Sequence, residues 1–313
     1  MSLQIPLIGV ASKYVSRLGH LPSSTETKNL LNTDNIDAIL IMIRDSFGIA
    51  DISLDNVIEK LNNYSPTQIE EILSLLPNNS APFVYLTLAQ DFEKLKTLAL
   101  SKTIYGEALG DKSFEQILAE TTTHLHYASQ FKSKLLAKEE KLIHSHDSFS
   151  LISYLEEIFL TLLFENLSKN SDIMRDFVLA KIDSYTLLNV LTRTQKGQSK
   201  EHILRHLLPI QGSLAINAVK SFSFGDILGD IGQYLNLTPV DINIINIENT
   251  LIQNEIKTLH RAQFTGMSGD RIIQYTERLQ YSISNFKLLI LQNSKQIDSK
   301  QAKLRFIDYS NIC

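Results

Sequence analysis

The sequence predicts an all-α protein built from three pseudo-repeated helical-bundle domains, on three observations. Helix breakers are scarce: 12 glycines and 7 prolines in 313 residues are about half the joint share of roughly 12% in ordinary globular chains. From Phe83 to Leu208 there is no proline and only three glycines, whereas a strand-rich domain needs frequent turn residues. Apolar residues recur at helical spacing, and a similar helical segment recurs in each third of the chain.

The first strong element is Ser65–Leu76. Ser65 is placed as N-cap, Pro66 as first helical residue and Gln68 three after the cap, ahead of Ile69, Ile72, Leu73 and Leu76, a start signal followed by an amphipathic stripe. The turn-rich run Pro77-Asn-Asn-Ser-Ala-Pro82 then breaks the chain. Asp91-Phe-Glu-Lys-Leu95-Lys-Thr-Leu-Ala-Leu is the first repeated segment, and it ends before a break over 105–112 that holds two glycines. A new start follows at Ser113, with Gln116 three residues on.

In the middle third, Leu151, Leu155, Ile158 and Leu162 repeat at intervals of four, three and four, and Ile152, Phe159 and Leu163 widen the stripe. Such a helix is buried on more than one side. Asp183-Ser-Tyr-Thr-Leu187-Leu-Asn-Val-Leu-Thr-Arg193 is the second repeated segment, leading to a break at Pro209–Ser213. Thr238, Pro239 and Asp241 mark another helix start, and the third segment is Ser282-Ile-Ser-Asn-Phe286-Lys-Leu-Leu-Ile-Leu. Setting Leu95, Leu187 and Phe286 in register, with breaks near 108 and 211, divides the chain into domains 1–108, 109–211 and 212–313.

Composition narrows the functional classes. With 43% hydrophobic residues the chain can bury a core in each third. The net charge of -4, the pI near 6.1 and the lack of a long basic run argue against nucleic acid as partner. Cys313 is the single cysteine, which leaves no intrachain disulfide and no cysteine cage for a metal. The N-terminus carries no basic cluster followed by an apolar run, and apolar runs such as Ile158–Phe164 are too short to span a bilayer. A cytoplasmic protein is the expectation.

The chemical motifs are weak. There is no phosphate-binding glycine loop; Gly225-Asp-Ile-Leu-Gly229-Asp-Ile-Gly232 lacks dinucleotide spacing and a preceding strand, so it reads as a helix junction with Asp226 and Asp230 on its solvated side. His202 and His206 share a helical face at a spacing that can bind zinc, but Ile follows His202 where a metalloprotease carries Glu, and surface or cap histidines are the plainer reading. The same holds for His124, His126, His144 and His146. The pairs Glu70–Glu71, Glu139–Glu140 and Glu156–Glu157 point about 100° apart on a helix and read as solvated surface. No Gly-x-Ser-x-Gly elbow is present, and no nucleophile stands out. A protein without catalytic residues, cofactor or metal, working through protein partners, is the expectation.

The second segment runs on as Asp183-Ser-Tyr-Thr-Leu187-Leu-Asn-Val-Leu-Thr-Arg193-Thr-Gln-Lys-Gly197-Gln, then Ile203-Leu-Arg-His-Leu-Leu-Pro-Ile-Gln-Gly212-Ser-Leu214. It resembles the central signature of the V-type/A-type ATPase C-subunit family, whose eukaryotic members are the d subunits. Ala11–Arg17 is similar to that family's opening helix, Phe164–Leu167 to the region before the signature, and Ser284–Leu288, with Asn285, to its closing helix. Thr186 stands where the family usually has Asn; Lys94 takes the equivalent place in the first third, and Ser282 a place where an acidic residue is common.

The resemblance implies three helical bundles in a pseudo-threefold, funnel-like arrangement. It implies a non-catalytic rotor subunit that seats the central shaft on the membrane proteolipid ring of a rotary ATPase driving proton or sodium transport. Such a subunit would bind no nucleotide itself and would be peripheral to the membrane on its cytoplasmic face, through the ring. Asp183, Leu187, Arg193, Gly197, Gly212 and Asn285 are the motif residues it points to. Asp183 and Arg193 are either partner contacts or, more simply, a structural ion pair or cap, and Gly197 and Gly212 are helix ends. The competing reading is a free-standing helical adaptor for one cytoplasmic protein.

Overall fold

A computed structural model describes residues 4–33, 35–104, 126–136, 148–208, 210, 213–265 and 268–309. The expected break at 105–112, the start at Ser113, His124, Glu139, Glu140, His144, His146, Gly212 and Cys313 lie outside the described residues. Every regular element among those described is helical, so the all-α class holds. In order they are α1 (Gln4–Leu18), α2 (Ser24–Leu30), α3 (Ile36–Phe47), α4 (Val57–Leu75), α5 (Ala81–Ile104), α6 (Ala128–Leu136), α7 (Ser148–Leu167), α8 (Asp172–Gln195), α9 (Lys200–Arg205), α10 (Leu214–Ser221) and α11 (Ile227–Tyr234). After a 3-10 turn at Pro239–Asp241 come α12 (Ile244–His260), α13 (Ala262–Thr265), α14 (Ser268–Asn293) and α15 (Ser299–Arg305). None of the described helices is long and apolar enough to cross a membrane.

Side chains cap several of the described helices. Ser23 and Glu26 form a reciprocal capping box on α2, and Ser171, Ser199, Asp226, Asn243 and Asp298 cap α8, α9, α11, α12 and α15, each satisfying an N–H that the helix leaves unpaired. At the 3-10 turn Thr238 bonds Asp241 through its side chain, but the long helix begins only at Ile244, with Asn243 as cap. The start expected at Thr238 is therefore a single turn that precedes α12.

The expected helix start at Ser65 is corrected. Pro66 lies inside α4, which already begins at Val57. An internal proline costs about 3 kcal/mol by removing one backbone bond and crowding the carbonyl four residues back. Burial offsets it: Val57, Leu61 and Ile72 are 0% exposed and Ile69 9%, one apolar stripe running through the proline. The break after Leu76 is present, between α4 and α5.

Two cores organise the molecule. The larger joins residues of α1–α8 with the C-terminal end of α12 and with α13, α14 and α15, from Val10 to Phe306. The smaller surrounds Leu187, Val190 and Leu191 on the C-terminal half of α8 and draws in α9–α12. α14 is the axis of the first, packed by α1, α3, α4 and α5; Tyr275 meets Tyr14 with ring centroids 5.1 Å apart, and Phe286 meets Phe47 at 5.6 Å. α7 lies between α5 and α8, with Phe92 stacked on Phe159 at 4.7 Å and Leu155, Ile158, Leu160, Leu162 and Leu163 all buried, as expected for a helix covered on several sides.

The two ends of the described chain meet. Besides the α1–α14 contact, Tyr309 donates its backbone N–H to Ser24 Oγ (3.3 Å) and its hydroxyl to the Pro22 carbonyl (3.2 Å), and Arg278 reaches the Leu21 carbonyl (3.2 Å). Contacts thus cross both boundaries, near 108 and near 211, at which the sequence divides into thirds.

Candidate functional site

α8 carries the sequence signature, and its polar residues each take a separate task. Asp183, midway along the helix and half-buried, accepts hydrogen bonds at Oδ1 from the Ser213 hydroxyl and from the Ala215 backbone N–H (3.2 Å). Ala215 is the second residue of α10, whose own cap residue Ser213 makes no side-chain bond to its helix. Asp183 therefore caps α10 from across the interface, placing a carboxylate where the helix dipole is positive. Burial pushes its carboxyl above the usual range against the pull of these hydrogen bonds.

Arg193 does not pair with Asp183. Its Nε donates to Asn189 Oδ1 (2.6 Å) and one terminal nitrogen to Gln198 Oε1 (3.2 Å), which ties the end of α8 to the turn that follows. That turn holds Gly197 at φ 75°. Gly197 N–H bonds the Thr194 carbonyl (2.9 Å) and Gln198 N–H the Arg193 carbonyl (3.1 Å), the paired closure that needs a left-handed residue and favours glycine. Of the two readings for Asp183 and Arg193, the structure fills the cap role for Asp183 and gives no ion pair between them. Leu187 is fully buried in the smaller core. Asn285, 1% exposed, bonds both backbone groups of Ile307, donating to its carbonyl (2.8 Å) and accepting from its N–H (3.0 Å).

The three residues set in register, Leu95, Leu187 and Phe286, are each 0% exposed and lie on α5, α8 and α14, the longest described helices at 24, 24 and 26 residues. Four residues before each stands a buried or part-buried polar side chain that holds a later segment. Asp91 Oδ2 accepts from the Tyr127 N–H (2.8 Å) at the start of α6. Asp183 accepts from Ala215 at the start of α10, and Ser282 donates to the Tyr309 hydroxyl (3.1 Å) in the C-terminal segment. Burial raises the carboxyl of Asp91 as it does that of Asp183.

Between α5, α8, α12 and α14 lies an ionic cluster that sequence reasoning missed. Lys181 Nζ contacts Glu255 Oε2 (3.1 Å) and Glu277 Oε2 (3.3 Å), with side chains 19%, 10% and 6% exposed. Ser184 donates to Glu255 (2.6 Å), Tyr281 (3.3 Å) and Tyr85 donate to Glu277, and the Phe177 ring lies 4.8 Å from the ammonium. Burial alone would depress the Lys181 ammonium, but Glu255 and Glu277 hold it well above its ordinary value. Burial, with Glu277 beside them, drives the Tyr85 and Tyr281 hydroxyls upward. The signal in the sequence was a charged residue interrupting an apolar face, as Glu277 does midway between Ile273 and Tyr281.

The expectation that the glutamate pairs are solvated surface is corrected in part. Glu70 is exposed, but Glu71 takes Lys13 (2.6 Å) and Arg17 (3.0 Å). Glu157 is 6% exposed and accepts from Tyr185 (3.2 Å), and burial raises the Glu156 carboxyl. They are covered because α7 is packed by both α5 and α8, so even its polar stripe faces a neighbour. Tyr185 also meets Ser153 Oγ (2.7 Å) and accepts from Asn189 (2.8 Å), which links α7 to Arg193 through a chain of side chains beside a cavity of about 130 Å³.

Asp226 caps α11 by accepting from Gly229 N–H (3.1 Å), and Asp230 accepts from Ser223 (2.8 Å), as a helix junction requires. His206 Nδ1 lies 2.7 Å from the His202 carbonyl, its ring 4.3 Å from that of His202; His126 packs edge-on to Phe83. Among the described residues no three His, Cys, Asp or Glu side chains converge as metal ligands would. Lys181, Asp183, Ser184 and Tyr185 of α8 are engaged with other helices of the same chain, an arrangement that fixes helices relative to one another. No model of a known protein family and no curated protein matches this chain.

Proposed function

We propose that this chain is a non-catalytic coupling subunit of a V/A-type rotary ATPase, seated between the central shaft and the proteolipid ring. The observation that carries the reading is the threefold recurrence on α5, α8 and α14: a buried apolar residue, and four residues earlier a polar side chain that docks a later segment. Such recurrence is what three divergent copies of one helical unit would leave, in keeping with the signature resemblance on α8. The chain's closure, α1 on α14, supports a ring-like, funnel-shaped body in which the thirds 1–108, 109–211 and 212–313 each supply one long helix.

A part that transmits torque must hold its shape under load, and helices fixed to one another by buried polar contacts suit that need. Shaft and ring would be its partners, with membrane attachment only through the ring, on the cytoplasmic face. Affinity recovery of the tagged chain from detergent-solubilised native membranes, read by mass spectrometry, tests this. Recovery of proteolipid and shaft proteins is expected; a single soluble partner recovered reproducibly without them would replace the coupling role with that of an adaptor.

A further inference from the structure

A cavity of about 450 Å³ opens between the C-terminal ends of α1 and α3 and the flanks of α4 and α14. It lies within the size range of small-molecule sites, and none of the α8 signature residues lines it. Its walls differ in character. α1, α4 and α14 contribute Arg17, Tyr64, Gln68 and Tyr275. Arg17 makes hydrogen bonds to Gln68 Oε1 (2.8 Å) and to both oxygens of Glu71 (3.0 and 3.2 Å), and since a guanidinium carries five N–H groups, two stay available. The hydroxyls of Tyr64 and Tyr275 have no hydrogen-bond partner among the described residues, although Tyr275 is only 2% exposed. Burial raises both phenols, so near neutral pH they are donors. Behind them Tyr14, wholly buried and in ring contact with Tyr275, also has an unpartnered hydroxyl.

The last turn of α3, Asp45 to Gly48, also lines the cavity, with the Phe47 ring 5.2 Å from that of Tyr64. Gly48, left-handed at φ 65°, returns its N–H to the Arg44 carbonyl (2.8 Å). The carbonyls that follow Arg44 have no intrahelical partner and give this end partial negative charge. Asp45 adds a full carboxylate, held at the rim by Arg44 (3.2 Å). One wall therefore offers unpaired donors beside a guanidinium and the other offers acceptors beside a carboxylate, with the rings of Phe47, Tyr64 and Tyr275 as apolar surface. A simple anion would meet Asp45 and the carbonyls, and a simple cation would meet Arg17.

We propose that this cavity binds a small zwitterion of the free α-amino acid class, its carboxylate on the Arg17, Tyr64 and Tyr275 wall and its ammonium at the C-terminal turn of α3. Arg17, Tyr64 and Tyr275 face the cavity together, and a carboxylate placed there can take several of their donors at once through charge-assisted bonds. The site is independent of the coupling role, so either can fail alone.

Saturation-transfer NMR of the full chain with the twenty free amino acids identifies the best binder, which is then compared by calorimetry with its amide, lacking the carboxylate, and its N-acetyl form, lacking the ammonium. Expected are saturable binding of the parent and at least a tenfold weakening for each blocked form. The same loss is expected for Y64F/Y275F, which removes two oxygens and keeps both rings, and for Asp45→Asn, an exposed position whose change leaves the fold intact. Absence of binding by all twenty at millimolar concentration, equal binding of the blocked forms, or unchanged affinity in Y64F/Y275F would overturn the proposal.

Discussion

Asp91 on α5 and Asp183 on α8 stand in the same relation to the chain that follows them: each is buried or part-buried, each lies four residues before a fully buried leucine, and each receives a backbone N–H at the start of a later short helix, from Tyr127 at 2.8 Å and from Ala215 at 3.2 Å. A cap supplied from another helix does two things at once, since it satisfies an orphan N–H and fixes the approach of two helices.

Asp91→Ala and Asp183→Ala are each expected to lower stability by about 1–2 kcal/mol, the range for loss of a helix cap. Asp183→Ala should have the larger effect, because it also strands the Ser213 hydroxyl. Urea denaturation of the two single variants checks this, and a loss below about 0.3 kcal/mol at either site would show that the docked helix is held by packing alone.

Lys181 sits between two buried carboxylates, so its removal leaves like charges without a partner. Lys181→Met is expected to cost about 3–5 kcal/mol. Adding Glu277→Gln should recover part of that loss, because the repulsion between the carboxylates is removed while the Tyr85 and Tyr281 hydroxyls keep an acceptor. Thermal or urea unfolding of the single and double variants measures both.

Asp270 is 3% exposed, accepts from Ser171 Oγ (3.3 Å), and has its second oxygen unpartnered. Burial raises its carboxyl from 3.8 to about 6. A raised acid pKa means that the folded state holds the proton more tightly, so the stabilisation is present below about pH 4 and fades as pH rises through about 6. The span is on the order of 3 kcal/mol. Asp270→Asn should flatten this slope between pH 4 and pH 7 and leave the protein more stable than the parent at pH 7. A chemical-denaturation series against pH would show an unchanged slope if the carboxyl is not the source.

Gly197→Ala is expected to cost about 1 kcal/mol. A Cβ at this position meets nothing within 4 Å, so the whole effect comes from the left-handed φ of 75°. Gly197→Asn should cost less, because asparagine tolerates that region better than alanine. Equal losses for the two would point to a steric cause instead.

Helical class, the stripe on α7 and the glycine closing α8 were legible because each depends on local periodicity or on one residue's backbone freedom. Setting Leu95, Leu187 and Phe286 in register drew attention to Asp91 and Asp183, each four residues before a buried leucine. The start assigned to Ser65 failed because tertiary burial of Val57 and Leu61 outweighed the local signal of Pro66. Glu157 and the cluster of Lys181, Glu255 and Glu277 were illegible for a related reason. A charged residue on a helix reads as solvated until the neighbour that covers it is known, and here the partners are as many as 192 residues apart in sequence. The cavity beside Arg17 combines four helices from opposite ends of the chain, a proximity that no spacing within one segment encodes.

The docking of α1 on α14 also sets an order for biogenesis. A ribosome releases α1–α4 long before α14 exists, and Tyr14, Ile43 and Leu61, fully buried in the finished protein, have no permanent cover during that interval. The nascent chain must then either keep those faces in provisional contacts among themselves or rely on a chaperone until residues 268–293 emerge. Ribosome-bound chains stopped before and after that point should differ sharply in protease resistance over α1–α4, with the late helix acting as the latch of folding.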